Sequence, residues 1–273
     1  MTQPGAERRE PSRTHRFDFG ETRSRHIEET YLQPDIVRQR QDFCAALDLR
    51  PGLRALDVGA GPGLLAQDLA ERAGPSGWVV GVDPSPDMLR LAQARTAGSR
   101  VCYVQGTATA LPVAGQTFDL AVSTQVLEYV PEIDVAIEEM KRAVRPGGTV
   151  AILDTDWRSI VWSTSLPELQ ARILQAWDQH LHDPHLPQHL PAHLRAAGLE
   201  LEDCRAVGIV NTRFEERTYS RRTVGSISNF VPGRNGIDRG DVDRWAADLA
   251  EHGQRGDYFF SLTRYLFIAR RPG

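Results

Sequence analysis

The chain has 273 residues, 41% of them hydrophobic and 25% charged, which is typical of a globular protein. Its formal net charge of -4 gives no electrostatic argument for a nucleic-acid partner. The N-terminus lacks the apolar core of a signal peptide, and no apolar run approaches the ~20 residues that cross a bilayer. These features predict a cytoplasmic protein without a membrane span.

Residues 1–20 mix proline, glycine, arginine and glutamate without periodicity, which predicts a mobile tail. Residues 21–273 show no internal repeat and no linker, and they are predicted to form one domain. The cysteines (Cys44, Cys102 and Cys204) are few and scattered, so neither a disulfide framework nor a zinc site is predicted. Almost every basic residue is arginine, which suggests a GC-rich coding sequence and a bacterial source.

The first helix is predicted from Glu28, with an apolar stripe that ends at residues 50–52. Next come an apolar strand at residues 54–58, glycines at 59, 61 and 63, and an amphipathic helix. Strand, glycine turn and helix are the layout of a nucleotide-type site, in which backbone comes close to a ligand. The glycine spacing differs from that of dinucleotide sites. Asp57 at the strand end would repel a pyrophosphate but could attract an ammonium.

The second strand, residues 77–83, ends in Asp83. Asp83 lies about 20 residues beyond the glycine turn, the separation at which a βαβ unit brings an acid to a ribose diol. A third strand is predicted at residues 101–104 and a fourth at 117–123. A helix at residues 131–144 and a tight Arg-Pro-Gly-Gly turn then lead to a fifth strand over residues 149–153.

Beyond the fifth strand, a helix is predicted over residues 167–182. His185, His189 and His193 are spaced by four and would share one face of an unbroken helix. Three nearby prolines interrupt such a helix, so we interpret these histidines as solvated loop residues and predict no metal site. A sixth strand (199–214), two helices (219–231 and 238–251) and a last strand (258–268) complete the predicted elements.

The glycine segment, the acid after the second strand, the Val126–Val130 segment and the Arg-Pro-Gly-Gly turn together resemble the class I S-adenosylmethionine-dependent methyltransferases, of the ubiquinone/menaquinone-methyltransferase-like type. The resemblance implies an α/β fold with a doubly wound, Rossmann-like sheet of seven strands. That sheet is mostly parallel, with an antiparallel C-terminal strand and a helical cover. The motifs span a core at residues 53–154, with substrate-cover insertions at about 157–198 and 215–256.

The resemblance also implies S-adenosyl-L-methionine as cofactor, with Asp57 at the methionyl ammonium, Asp83 at the ribose, and Thr107 and Ala108 around the adenine. Thr107 replaces the usual aspartate and Tyr129 the usual histidine. The full set of expected cofactor-binding residues is Tyr31, Arg40, Asp57, Gly59, Ala60, Gly61, Gly63, Asp83, Pro84, Met88, Gly106, Thr107, Ala108, Thr124, Gln125 and Val126.

We therefore expect methyl transfer to a small, mostly apolar organic acceptor, with carbon, oxygen and nitrogen all open as the methylated atom. Asp154 and Tyr129 are the candidates for orienting or deprotonating the acceptor. Aromatic residues of the cover (Trp157, Phe230, Trp245, Tyr258 and Phe259) are interpreted either as pocket walls or as core beneath the last strand.

The alternative is a non-catalytic cofactor-binding protein of regulatory or structural role on the same fold. A nicotinamide-dependent dehydrogenase is a third option, which the glycine spacing weakens. The sequence leaves the oligomeric state open, with a homodimer among the alternatives.

Overall fold

The computed structural model describes residues 21–273, with side chains from Ser24 onwards, so the tail predicted over residues 1–20 lies outside the described residues. Across this range a single sheet contains seven strands: β1 (Arg54–Val58), β2 (Trp78–Asp83), β3 (Val101–Gln105), β4 (Phe118–Thr124), β5 (Val144–Trp162), β6 (Glu200–Asn211) and β7 (Phe260–Arg270). Their order across the sheet is β3-β2-β1-β4-β5-β7-β6.

Strands β1 to β5 are parallel to one another, and β7 runs antiparallel to both β5 and β6. This arrangement confirms the predicted fold class. After β1 the chain adds β2 and β3 on one side of it, and β4 and the later strands lie on the other side. The direction in which strands are added therefore reverses between β1 and β4. Ligands of open α/β sheets bind beside such a reversal, at the carboxyl ends of the strands.

The helices cover both faces of the sheet and its carboxyl end. They are α1 (Glu21–Tyr31), α2 (Pro34–Ala45), α3 (Leu64–Ala73), α4 (Pro86–Arg95), α5 (Ile133–Ala143), α6 (Pro167–Trp177), α7 (Leu186–Ala196), α8 (Tyr219–Phe230) and α9 (Arg239–Arg255). Short 3-10 turns occur at Leu127–Tyr129 and Asp178–His180. From residue 21 onwards, no helix is long and apolar enough to cross a membrane.

Three hydrophobic clusters hold these layers together. Leu56 and Val80 pack under α5 and α7 in the first cluster, and their neighbours Ala55 and Val79 pack under α2 and α3 in another. Adjacent residues of a strand belong to different clusters because successive side chains point to opposite faces of the sheet. The remaining cluster is built from α6, α8, α9 and the adjoining ends of β5 and β7, with Trp245 fully buried within it.

The N-terminal helix predicted from Glu28 is two helices. The helix α1 begins earlier, and the chain leaves helical geometry at Gln33, whose ψ is 145°. Gln33 precedes Pro34, and the proline ring disfavours the α conformation of the residue before it. Pro34 itself starts α2, where its missing N–H leaves no helical bond unmade.

The fifth strand is much longer than the predicted residues 149–153. It begins at Val144, which pairs with Phe118, and takes in the predicted tight turn as an irregularity in which Gly147 has a φ of +72°. At its far end it continues to Trp162, with a break in register between Asp156 and Val161. We attribute the length of β5 to its pairing with almost all of β7. The local sequence of β5 carries no signal for that pairing.

His189 and His193 lie in α7, so their prediction as loop residues is wrong, whereas His185 precedes the helix. Pro187 lies in the first turn of α7, where it removes no helical hydrogen bond, and Pro191 lies inside the helix. Leu186, Leu190 and Leu194 occupy the i, i+4, i+8 stripe and are buried against the sheet. We attribute the helix to this packing, which outweighs the hydrogen bond that Pro191 cannot donate.

Candidate functional site

The glycine loop joins β1 to α3 and is held against two neighbouring strands. The amides of Gly59 and Ala60 both donate to the carbonyl of Val82, at 2.7 and 3.0 Å. Gly59 has a φ of +75°, and a Cβ placed on it would lie 2.3 Å from Val126 Cγ2. A Cβ on Gly61 would meet no atom within 4 Å, so the loop presents bare backbone to open space at this residue.

Gly63 closes the loop against the third strand and α4. Its φ is +78°, and a Cβ here would lie 2.4 Å from the hydroxyl of Tyr103 and 2.8 Å from Ala92 Cβ. Helix and strand can therefore approach this closely only because Gly63 has no side chain.

Asp83, at the end of β2, lies directly beside the glycine loop. Its Oδ2 accepts from the amide of Gly61 and its Oδ1 from that of Ser85, each at 2.9 Å. Ser85 in turn caps α4 by accepting from the amide of Met88, whose side chain is buried. Burial raises the pKa of Asp83, and the two amides act against that rise. The carboxylate both shapes the loop and faces the same edge of the sheet.

Asp57 is almost fully enclosed at the end of β1, with 1% of its surface exposed. Burial, and then the nearby charge of Asp83, raise its pKa to about 7. Its Oδ2 has no hydrogen-bond partner among residues 24–273. A buried oxygen that lacks a donor is costly, so this carboxylate is suited to a cationic ligand.

The segment after β3 lies against Asp83 through its backbone. The amide of Gly106 donates to the carbonyl of Asp83 at 3.2 Å, and a Cβ on Gly106 would lie 2.6 Å from Pro112 Cδ. The Thr107 side chain is exposed and its Oγ1 lies 3.2 Å from Thr109 Oγ1, while Ala108 is half-buried. Pro84 is also exposed.

Tyr31 and Arg40, both expected at the cofactor, have different surroundings. Arg40 Nε donates to Asp68 Oδ2 at 2.6 Å, which ties α2 to α3, and Nη1 donates to the carbonyl of Tyr31 at 3.3 Å. The Tyr31 hydroxyl lies near Arg264, and burial raises its pKa well above the usual range. The Tyr31 side chain thus lies near Arg264, in the amino-terminal half of β7, and Arg40 forms an ion pair with Asp68.

The end of β4 links the glycine loop to β5. Gln125 has a φ of +57°, and its amide donates to the carbonyl of Leu153 at 2.8 Å. Its Oε1 accepts from Thr155 Oγ1 at 2.6 Å. The amide of Val126 donates to Asp154 Oδ1 at 3.1 Å, and Thr124 is half-buried beside it.

These contacts belong to a larger group of side chains that we call the buried polar cluster. All of its members are buried, and they come from α2, the segment after β4, and the interiors of β5 and β7: Gln39, Gln125, Glu128, Asp154, Thr155 and Arg264. Of these residues, Gln125 and Asp154 belong to the sets of cofactor-binding and acceptor residues expected from the sequence, and Gln39 is a further candidate for a lid or a carboxylate contact. Glu128 could have been found, because it lies inside the Val126–Val130 motif, and Arg264 is a charged residue in the interior of a mostly apolar strand.

Two carboxyl groups of the buried polar cluster have raised pKa values. Burial raises the pKa of Glu128 to about 7, against the hydrogen bond that Trp157 Nε1 donates to its Oε2 at 3.1 Å. Burial, and then the charge of Glu128, raise the pKa of Asp154 well above its usual range. Near neutral pH Glu128 can therefore hold or release a proton. Burial also raises the pKa of Tyr129.

Aromatic rings adjoin the buried polar cluster on its cover side, and we call them the aromatic cluster: Tyr129, Trp157, Trp177, His180 and Phe230. Trp177 stacks on His180 with centroids 3.6 Å apart, and Trp157 packs edge-on against Trp177 at 5.7 Å. Tyr129 lies 6.1 Å from His180 and Phe230 lies 5.5 Å from Trp177.

Three aromatic residues that were candidates for pocket walls lie elsewhere. Trp245 packs against Trp162 in the core of the cover, and Tyr258 accepts from Trp162 Nε1 at 2.7 Å. Phe259 is exposed to solvent.

The Asp156 carboxylate points towards α7, where it accepts from Gln188 and lies 3.2 Å from His185 Nδ1.

The protein family described as "Methyltransferase domain" matches residues 56–152. The chain contains a class I S-adenosylmethionine-dependent methyltransferase domain. The matched range runs from β1 into β5 and includes the glycine loop, Asp57 and Asp83. S-adenosyl-L-methionine is the cofactor of this class of methyltransferase.

The chain is similar in sequence to two known proteins, one of them a methyltransferase. The chain is 36% identical over 230 residues to an uncharacterized 37.1 kDa protein in transposon TN4556 of Streptomyces fradiae, covering 82% of this chain and 64% of the relative. It is 37% identical over 166 residues to the ubiquinone biosynthesis O-methyltransferase of Azorhizobium caulinodans, covering 58% of this chain and 64% of the relative. The chain thus spans 64% of the length of each relative.

A solved structure shares the fold of the methyltransferase domain. Phosphoethanolamine N-methyltransferase 2 of Haemonchus contortus, in complex with S-adenosyl-L-methionine, superposes with a TM-score of 0.63 at 21% identity. The match covers 94% of this chain and 59% of that one.

Proposed function

We propose that this protein transfers a methyl group from S-adenosylmethionine to an oxygen of a small, mostly apolar acceptor. The observation that carries the proposal is the adjacency of two unlike regions at one edge of the sheet. Open backbone and a carboxylate lie at β1 and β2, and the buried polar and aromatic clusters lie at β4, β5 and beyond. We assign the first region to the cofactor and the second to the acceptor, within one domain over residues 21–273 covered by residues 157–198 and 215–256.

On the cofactor side, Asp57 is proposed to bind the methionyl ammonium and Asp83 the ribose hydroxyls. The unpartnered oxygen of Asp57 supports the first role, and the position of Asp83 beside Gly61 supports the second. The remaining proposed contacts are those expected from the sequence: Tyr31, Arg40, Gly59, Ala60, Gly61, Gly63, Pro84, Met88, Gly106, Thr107, Ala108, Thr124, Gln125 and Val126. The bound cofactor supplies a methyl group already activated by its sulfonium, so the chain chiefly provides alignment.

On the acceptor side, the aromatic cluster is proposed to hold the apolar body of the acceptor. A hydroxyl acceptor must lose a proton, and a base works best when its pKa lies near the working pH. Glu128, with its pKa raised to about 7, meets that requirement. Asp154 and Tyr129 are proposed to orient the acceptor oxygen. The O-methyltransferase relative supports oxygen as the methylated atom.

Asp83→Ala tests the cofactor side. We expect the affinity for S-adenosylhomocysteine, measured by calorimetric titration, to fall by about 10–100-fold, because a charge-assisted hydrogen bond to the ribose is lost. Asp87→Ala, on the outer side of the first turn of α4, serves as the matched control and should bind like the wild type. Unchanged affinity in folded Asp83→Ala would remove Asp83 from the proposed site.

Asp57 gives the cofactor affinity a pH dependence. An ammonium pairs with the ionised carboxyl, and this group takes up its proton as the pH falls through about 7. We therefore expect binding of S-adenosylhomocysteine to be about tenfold weaker at pH 6 than at pH 8 and to level off above that pH. Asp57→Asn should bind weakly with a flat profile. A wild-type profile that is equally flat would argue against the pairing.

A non-catalytic cofactor-binding protein is the rival to this function. Transfer of a labelled methyl group from S-adenosylmethionine to members of a hydroxyarene panel would distinguish the two. Binding of S-adenosylhomocysteine without transfer to any acceptor of the panel would favour the rival.

A further inference from the structure

Arg264 is a buried cation on the acceptor side of the sheet. It lies on β7, directly opposite Thr155 of β5, and is 2% exposed. Burial acts to lower its pKa, but the nearby Tyr219, Tyr31 and Glu128 outweigh that effect and raise it. The guanidinium therefore remains charged in the interior of the protein.

The direct partners of Arg264 are neutral. Its Nε donates to Thr155 Oγ1 at 3.2 Å, its Nη1 donates to Gln39 Oε1, and its guanidinium lies 5.0 Å from the ring centroid of Tyr219. Among residues 24–273, no carboxylate oxygen lies within 4.0 Å of the Arg264 guanidinium, the distance limit for an ion pair. An interior charge that no carboxylate contacts directly is costly, so a ligand that brings an anionic oxygen into contact with it would be bound strongly.

Gln39 supplies a second donor at the same place. Because its Oε1 accepts from Arg264, the orientation of the amide is fixed, and Nε2 is the remaining donor. This Nε2 is buried and has no hydrogen-bond partner among the described residues of the chain. A charged guanidinium and an unused amide N–H side by side form a set of donors suited to an anionic oxygen.

The position of Arg264 in the sheet favours the acceptor over the cofactor as the source of that oxygen. Strand β7 is separated from β1 by β4 and β5, and neighbouring strands lie about 4.8 Å apart, so β7 is about 14 Å from the strand that carries Asp57. The aromatic cluster, in contrast, adjoins the buried polar cluster through the Trp157–Glu128 hydrogen bond.

We propose that Arg264 and Gln39 form a subsite for an anionic oxygen of the acceptor, so that the acceptor is an aromatic acid. Its ring would lie against the aromatic cluster, its carboxylate at Arg264 and its hydroxyl near Glu128. This inference rests on the proposed function, because it assumes that the region holds the methyl acceptor.

The test compares aryl carboxylates with their primary amides, which match them in shape but lack the charge. Benzoate, 4-hydroxycinnamate and 2-naphthoate, each beside its amide, are titrated into the protein saturated with S-adenosylhomocysteine. In the wild type we expect at least one carboxylate to bind about tenfold or more tightly than its amide. Arg264→Gln should abolish this preference, and Arg264→Lys should retain some of it. Arg270→Gln, on the same strand in an exposed ion pair with Glu202, is the matched control and should keep the preference.

The outcomes separate this inference from the proposed function. If S-adenosylhomocysteine itself does not bind, the proposed function fails. If it binds, but no carboxylate is preferred over its amide, the subsite is wrong while the cofactor site stands. That comparison needs no variant, so it holds even if Arg264→Gln does not fold. Loss of S-adenosylhomocysteine affinity in folded Arg264→Gln would instead assign Arg264 to the methionyl carboxylate and overturn the proposal.

Discussion

Gly59→Ala is expected to lower the free energy of unfolding by about 2–5 kcal/mol, whereas Gly61→Ala should cost only about 1–2 kcal/mol. Both residues have a positive φ, which an alanine adopts at a cost. Only at Gly59 would the new Cβ also overlap a neighbour, because it would lie 2.3 Å from Val126 Cγ2. Urea unfolding of the two variants measures the difference.

For cofactor affinity we expect the opposite order, with a larger loss from substitution of Gly61 than of Gly59. The Cβ of Gly61→Ala extends into the open space beside the loop, where we place the cofactor, and Gly61→Val would fill more of that space. We expect Gly61→Val to remain folded and to lose measurable affinity for S-adenosylhomocysteine. If it binds with wild-type affinity, the cofactor lies elsewhere. Equal destabilisation by the two alanine variants would show that the contact with Val126 is unimportant.

Asp154→Asn is expected to reduce methyl transfer by about 100-fold and to leave the affinity for S-adenosylhomocysteine within about twofold. The asparagine Oδ1 can still accept from the amide of Val126, so the end of β4 should keep its geometry. It has no proton to exchange with the acceptor oxygen or with Glu128. Single-turnover rates on an acceptor from the panel measure the loss.

The matched control for Asp154→Asn is Asp156→Asn, two residues along β5, where the carboxylate contacts α7 instead of the buried polar cluster. Its turnover should stay close to that of the wild type. The wild-type rate should rise as the pH passes through about 7, because Glu128 must be ionised to accept a proton. If folded Asp154→Asn turns over at the wild-type rate, Asp154 has no role in methyl transfer and only accepts a hydrogen bond from the amide of Val126.

The cofactor half of the sheet could be predicted from the sequence because its signals are local. Strands β1 to β4 follow from short apolar runs, and the glycines and Asp83 follow from spacings within one βαβ unit. The helix α7 was missed because its prolines are local, whereas the contacts of Leu186 and Leu190 that stabilise it come from distant residues.

The acceptor half could not be predicted in the same way, because its contacts join residues that are far apart in the chain. Gln39 and Arg264 are separated by 225 positions, and no periodicity relates them. The register that places Arg264 beside Thr155 arises from pairing between β5 and β7, which their individual sequences do not specify. The aromatic residues raise the same difficulty, since Trp157 and Trp245 belong to one hydrophobic cluster but contact different rings, Trp177 and His180 in the first case and Trp162 in the second.

The separate hydrophobic core of the cover has a consequence for how such proteins diversify. Its members come mostly from residues after Asp154, while the two cores on the faces of the sheet hold the strands that precede it. We therefore expect mutations that repack the cover to leave strands β1 to β4 folded. If the cover holds the acceptor as we propose, a lineage can try new acceptors by drift in one core while selection on the other two remains satisfied. In directed evolution, libraries confined to α6, α8 and α9 should yield a larger share of folded variants than libraries of equal size spread over the sheet.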